Sequence, residues 1–142
     1  MSSIVILSVV EGAMEGERFL FQGPTRVRVG RADCCELRLP SDDRHANVSR
    51  LHCLIEIRPT RVTICDVGSR NGTYVNGEKI GQRPDWQRPE DAVGAPWPIH
   101  RLRDGDRVQV GETVFAVEVR TPAPGARRAT EVLEGEPAAV GG

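Results

Sequence analysis

Two runs of alternating apolar residues stand back to back between residues 49 and 77, and they constrain the fold more than any other stretch. Cys53, Ile55 and Ile57 share one face of the first run; Val62, Ile64 and Asp66 share one face of the second. A side-chain period of two is the mark of a strand with one buried face. Pro59-Thr60 between the runs is a two-residue connection, so the pair is a hairpin. Asn76-Gly77 centres a second hairpin, because a type I′ turn requires positive φ at both central residues. Gly111-Glu112 centres a third, with a glycine-first pair suited to type II′, and in its last strand Phe115, Val117 and Val119 face inward.

The remaining chain keeps this rhythm. Residues 4–10 are apolar on both faces and β-branched, which reads as a fully buried strand. Shorter strands are expected at 18–21, 26–29 and 37–39, stopped by Gly23-Pro24, Gly30-Arg31 and Pro40. No segment holds a helical period over two turns. The count is ten or eleven short strands joined by tight turns, so the expected fold class is all-β, an antiparallel β-sandwich. Glycine (15 residues) and proline (10 residues) supply the turns, and with aromatics at 4% the core falls to Val, Ile, Leu and Cys.

Residues 1–120 read as one domain with two departures from the strand pattern. Residues 41–48 carry Asp42, Asp43, Arg44, His45 and Asn47, and form a polar loop leading into Ser49. Residues 81–99 hold Pro84, Pro89, Pro96 and Pro98 with Trp86 and Trp97, and read as an inserted surface loop. Its tryptophans either pin the loop onto the sandwich or present a partner surface. Residues 121–142 are rich in Pro, Ala, Gly, Arg and Glu, the composition of a disordered tail.

Charge and cysteine usage narrow the function classes. The net charge of −1 exerts no general pull on nucleic acid or an anionic membrane, and basic runs and stacking aromatics are lacking. Lys79 is the single lysine among 19 basic residues, so arginine abundance is itself no signal and position must carry the argument. Cys34, Cys35, Cys53 and Cys65 lack metal-ligand spacing, as do the three histidines, so no metal or other cofactor is expected. Cys53 and Cys65 read as buried thiols. The first residues lack the basic region of a secretory signal, and 4–10 is too short to span a bilayer, which implies a reducing, cytoplasmic setting without membrane attachment.

Chemistry concentrates at the loop positions flanking the hairpin. Arginine offers a charged planar fork that matches phosphate oxygens, and serine and asparagine add neutral hydrogen-bonding groups at fixed points. Arg31, Ser49-Arg50 and Arg70-Asn71 present these groups on loops. Ser49, His52 and Asp66 also invite a catalytic-triad reading. Ser49 and His52 lie three apart on one loop with no nucleophile elbow or oxyanion feature, so an enzyme is not expected.

Gly30-Arg31, Ser49-Arg50-Leu51-His52, Asp66 with Ser69-Arg70-Asn71-Gly72-Thr73, Tyr74-Val75-Asn76-Gly77, and Leu102 followed by Asp104-Gly105-Asp106 together resemble a forkhead-associated (FHA) domain, from about residue 4 to residue 120. The resemblance implies an eleven-stranded β-sandwich that binds extended phosphothreonine peptides without catalysis, as an adaptor in Ser/Thr-kinase signalling. It implies that Arg31 binds the phosphate, that Ser49 donates its hydroxyl to it, and that Arg50 also reaches it. Asn71 is expected on the peptide backbone beside the phosphothreonine. Arg70 stands where many members carry Thr or Ser, and is expected at the peptide or the phosphate. Gly30, His52, Gly72, Asn76 and Gly77 occupy structural positions that support the binding loops. The loop at 40–48, with Asp42-Asp43, and the insertion at 81–99 depart from the family pattern. A phosphate-independent scaffold of the same fold is the competing reading. In the tail, Arg127-Arg128-Ala129-Thr130 resembles a site for a basic-directed kinase. Thr130 is thus a candidate phosphosite, within roughly 35 Å of extended chain from Arg120, for binding the domain's own site in cis or in a second chain.

Overall fold

The computed structural model describes residues 3–92 and 97–120. Its strands run β1 Ile4–Glu11, β2 Arg18–Gln22, β3 Thr25–Gly30, β4 Leu37–Arg38, β5 Cys53–Ile57, β6 Val62–Asp66, β7 Thr73–Val75, β8 Glu78–Gly81, β9 His100–Arg101, β10 Arg107–Val110 and β11 Thr113–Arg120. They form a six-stranded sheet in the order β2-β1-β11-β10-β7-β8 and a five-stranded sheet in the order β4-β3-β5-β6-β9. The β-sandwich expected from the alternation is the fold.

The inward positions read from the sequence make the core. Val27 and Val29 of β3, Cys53, Ile55 and Ile57 of β5, Val62 and Ile64 of β6, and Phe115 and Val117 of β11 are buried together with Val5, Leu7 and Val9 of β1. Each such aliphatic side chain contributes roughly 1.5–3 kcal/mol by leaving water. Phe115 meets Phe19 edge to face, centroids 6.4 Å apart, closing the β1–β2 side of the core. The β5–β6 hairpin pairs Ile57 with Val62 around the Pro59-Thr60 connection. At the tip of the β7–β8 hairpin Asn76 has φ 53° and Gly77 φ 82°, the two positive values a type I′ turn demands.

Four features differ from the expectations. The β3–β4 pair is parallel, so the five-stranded sheet is mixed. Cys65 is half-buried, unlike Cys53: it lies opposite Leu54 on the outer face of the sheet. The polar loop before Ser49 holds a 3-10 turn, Asp43–His45, whose N-terminus is capped by Asp42. His45 is buried there, its Nδ1 2.7 Å from Asp42 Oδ1, so Asp42 is tied to its own loop. The stretch at 81–99 begins as the last residue of β8 and contains a one-turn helix, α1 Pro89–Ala92; β9 follows it and joins the edge of β6 through Thr63 and Ile64. Within it Trp97 is half-buried, whereas Trp86 is 81% exposed. No helix among the described residues is long and apolar enough to cross a membrane. The expected tail at 121–142, with Thr130, lies outside the described residues.

Candidate functional site

The loop after β3 and the loop before β5 touch backbone to backbone. A Cβ on Gly30 would fall 2.1 Å from the Arg50 carbonyl oxygen, so only glycine allows this approach. The contact is sealed by Arg31 N–H donating to Ser49 O at 3.2 Å and Ala32 N–H donating to Arg50 O at 3.0 Å. Arg31, half-buried, also donates through Nε to Val48 O. Its stem is thereby fixed while both terminal amino groups keep their donors.

His52 joins this pair of loops to the loop between β6 and β7. Its Nδ1 accepts the Ser49 N–H at 3.0 Å, and its Nε2–H donates to Gly72 O at 2.8 Å. The two partners require the neutral Nε2–H tautomer. The imidazole is fully buried, and that burial lowers its pKa below the ordinary histidine value.

Asp66, fully buried, shapes the β6–β7 loop itself. Its carboxylate accepts the N–H of Gly68 at 2.8 Å and of Ser69 at 2.9 Å, and the hydroxyls of Ser69 and of Thr73, the latter at 2.8 Å. The Ser69 hydroxyl oxygen in turn accepts the Gly72 N–H at 2.9 Å. The turn so formed aims the Arg70 N–H at Ser49 Oγ, 2.9 Å away. Asn71 Nδ2 adds a second bridge, donating to Asn47 O at 3.1 Å. The two ends of the hairpin read from the sequence therefore meet through direct hydrogen bonds.

A cleft of about 570 Å³ opens over this junction. Arg31, Ser49, Arg50, Arg70 and Arg83 supply its polar lining, Glu90 its carboxylate, and Cys34, Leu51 and Val67 part of its less polar floor. Arg31, Ser49, Arg50 and Arg70 thus come together; Asn71 lies beside the cleft and does not line it. Asn76 and Gly77 sit at the far end of β7. There Asn76 binds Asp106 Oδ1 through Nδ2 at 2.9 Å and accepts the Arg107 N–H at 2.9 Å, so this turn braces the loop before β10.

Residues of the inserted stretch were missing from the sequence-derived site. Arg83 N–H donates to Ser69 O at 2.8 Å, and Gln82 Nε2 donates to Arg70 O at 2.7 Å. The sequence carried no signal for them: regular pairing from the Asn76-Gly77 turn would oppose Thr73 to Ile80, and only a register shift between Tyr74 and Thr73 pairs Thr73 with Gly81 and lays the next residues along the Ser69–Gly72 loop. The role of Asp66 was legible, as an acid at an inward position of an apolar alternation.

The arrangement gathers guanidinium groups at the cleft and sets up no proton relay among Ser49, His52 and Asp66. His52 takes the backbone N–H of Ser49 and not its hydroxyl, and its other nitrogen is committed to Gly72 O. Asp66 is committed to the Ser69 turn. Ser49, His52 and Asp66 therefore form no triad. Clusters able to hold a metal ion are lacking among the described residues.

Comparison with known proteins places the sequence and the fold in one family. The family model described as FHA domain matches residues 27–111. Over 111 residues the chain is 34% identical to the glycogen accumulation regulator GarA of Mycolicibacterium smegmatis, a match covering 78% of this chain and 56% of that protein. It is 34% identical over 107 residues to the oxoglutarate dehydrogenase inhibitor of Corynebacterium efficiens, covering 75% of this chain and 60% of that one. The chain therefore spans less than two thirds of the length of these relatives. Among solved structures, the kinase-interacting FHA domain of the kinase-associated protein phosphatase KAPP of Arabidopsis superposes with a TM-score of 0.65 at 23% identity, covering 87% of this chain and 98% of that one. With the family pattern matched from β3 to the turn after β10 and the same sandwich beneath it, the chain belongs to the FHA-domain family.

Proposed function

We propose that this chain is a phosphothreonine-peptide-binding adaptor of Ser/Thr-kinase signalling, with no catalytic activity of its own. The observation that carries the reading is the state of Ser49. Its hydroxyl oxygen accepts the Arg70 N–H, which leaves the hydroxyl hydrogen to donate into a cleft lined by Arg31, Arg50 and Arg70. A phosphate oxygen is the acceptor such a constellation suits, because it draws charge-assisted bonds from the guanidinium groups at the same time. In this reading Arg31, Ser49 and Arg50 bind the phosphate, Arg70 the phosphate or the peptide, and Asn71 the peptide backbone. Gly30, His52 and Gly72 hold the loops that carry them. Asn76 and Gly77 support these loops indirectly, through β7.

The partner is a phosphothreonine protein, and a Ser/Thr kinase acts upstream. The names of the two curated relatives, a regulator and an enzyme inhibitor, support a regulatory role. The domain extends over residues 1–120, and its setting is the cytoplasm. Thr130, once phosphorylated, would gain about 1.5 to 2 negative charges and occupy the cleft of its own or a second chain. The reading is tested by measuring affinity for matched phosphothreonine, phosphoserine and unmodified peptides. Only the phosphothreonine form is expected to bind tightly. Equal binding of the unmodified peptide would favour the phosphate-independent scaffold, a reading to which the exposure of Trp86 (81%) and Ile99 (72%) gives some support.

A further inference from the structure

The cleft holds more positive charge than one phosphate needs. Four guanidinium groups, those of Arg31, Arg50, Arg70 and Arg83, line it against the single carboxylate of Glu90. A phosphothreonine brings about 1.5 to 2 negative charges, so with Glu90 counted the cleft keeps a surplus of about 1 to 1.5 positive charges. Glu90 is itself shared with Arg88, at 3.6 Å. The guanidinium groups of Arg50, Arg70 and Arg83 make no hydrogen bond or ion pair with any described residue. Arg26, Arg28, Arg38, Arg58, Arg88 and Arg120 each pair with a carboxylate, whereas Arg18, Arg44, Arg61, Arg101, Arg103 and Arg107 also lack a side-chain partner among the described residues; what sets Arg50, Arg70 and Arg83 apart is that they converge on one cleft.

Arg83 differs from the other three in its origin. It belongs to the stretch that follows β8, and its position is set by its own backbone, whose N–H donates to Ser69 O at 2.8 Å. Gln82 beside it is anchored at Arg70 O. These two bonds hold the inserted stretch against the Ser69-Arg70 turn and make it a wall of the cleft. The half-buried Arg83 side chain therefore has a fixed root and an unpaired charged end. At about 570 Å³ the cleft also has room for more than a phosphate.

We propose that Arg83 is a specificity-determining residue for a second anionic group, a carboxylate or a further phosphate, carried by the peptide close to its phosphothreonine. The proposal rests on the phosphothreonine reading of the cleft and adds the chemical class of the neighbouring residue.

The test uses the full chain and labelled peptides. One parent peptide carries a single phosphothreonine among neutral residues. A second set places one glutamate at each near position on either side, and a third replaces that residue with a second phosphothreonine. Wild type is expected to bind at least one acidic peptide about five-fold or more tighter than the parent; the second and third sets distinguish carboxylate from phosphate. Arg83→Gln, which keeps much of the aliphatic stem, is expected to erase that preference; because it also removes one of the four positive charges of the cleft, parent binding weakens as well, but by less than binding of the preferred acidic peptide. Arg31→Ala is expected to weaken every peptide. Retention of the preference by Arg83→Gln, an equal loss on parent and acidic peptides, or no preference in wild type would overturn the proposal. If wild type binds no phosphothreonine peptide, the reading of the cleft falls and the proposal with it.

Discussion

His52 holds Ser49 by the backbone: its Nδ1 accepts the Ser49 N–H at 3.0 Å from inside the core. Protonation would place a hydrogen on Nδ1 and turn this acceptor into a donor facing a donor. Burial accordingly lowers the His52 pKa below the ordinary 6.5. The sign follows from linkage. The folded state disfavours the proton relative to the unfolded chain, so the stabilisation is fully present above pH 6.5 and is lost as pH falls from there toward the folded-state pKa. Urea unfolding between pH 7.5 and pH 5 is expected to show this loss at up to about 1.4 kcal/mol per pH unit from this one group. In His52→Gln that component of the slope disappears, and stability at pH 7.5 drops by about 2–4 kcal/mol because two buried partners lose an imidazole. An unchanged slope in the variant would assign the pH dependence elsewhere.

Gly30 gives a steric prediction. A methyl group there would meet the Arg50 carbonyl oxygen at 2.1 Å, its carbon at 2.8 Å and the Ser49 oxygen at 2.9 Å. All three are backbone atoms, so no rotamer change relieves the overlap. Gly30→Ala is expected to cost about 1–3 kcal/mol, the range of forced overpacking, and to push the Ser49-Arg50 loop away from Arg31. Thermal melting measures the first effect and phosphopeptide affinity the second. A variant with wild-type melting and affinity would mean that the loops are not held as closely as described.

On the proposed phosphate-binding reading, Arg31 and Ser49 act through the ligand more than through the fold. Each would contribute a charge-assisted hydrogen bond of about 1.5–3 kcal/mol to a bound phosphate, which corresponds to about ten-fold or more in affinity. Arg31→Ala and Ser49→Ala are both expected to show such a loss by fluorescence anisotropy, with near-native melting for Arg31→Ala. Ser49→Ala should melt somewhat lower, because the Arg70 N–H loses its acceptor. Equal phosphopeptide binding by wild type and Arg31→Ala would remove the phosphate role assigned to Arg31.

Much of this structure could be read before folding, and the exceptions have physical causes. The buried face of β5 and β6 follows from Cys53, Ile55, Ile57, Val62 and Ile64 because alternation is a local signal, as is the Asn76-Gly77 turn. β9 was invisible because a two-residue strand has no period, and its pairing with Thr63 and Ile64 is decided by partners far away in the chain. The parallel β3–β4 pair escaped for the same reason. Arg31, Ser49, Arg50 and Arg70 stood out by residue type and order, but Arg83 lay in a proline-rich stretch that reads as surface loop. It is held at the cleft by its own backbone N–H to Ser69 O and by the neighbouring Gln82 side chain to Arg70 O, contacts between segments that no local periodicity announces.

Asp66 makes the strongest stability prediction. Its two oxygens accept four hydrogen bonds, from the N–H groups of Gly68 and Ser69 and from the hydroxyls of Ser69 and Thr73. An asparagine has one oxygen, and its NH2 would face hydroxyls whose hydrogens already point inward. Those hydroxyls can turn, but the Ser69 oxygen also accepts the Gly72 N–H, so turning it costs that bond's geometry. Asp66→Asn is therefore expected to lose about 2–4 kcal/mol. Asp66→Ala is expected to lose at least as much, as it leaves buried donors without acceptors. The damage should spread to ligand binding, since the Ser69 turn presents both the Arg70 N–H to Ser49 and the Ser69 carbonyl to Arg83. Chemical denaturation checks the stability loss. Phosphopeptide titration under conditions where Asp66→Asn remains folded checks the coupling: a variant that is destabilised but binds with native affinity would separate the turn from the cleft.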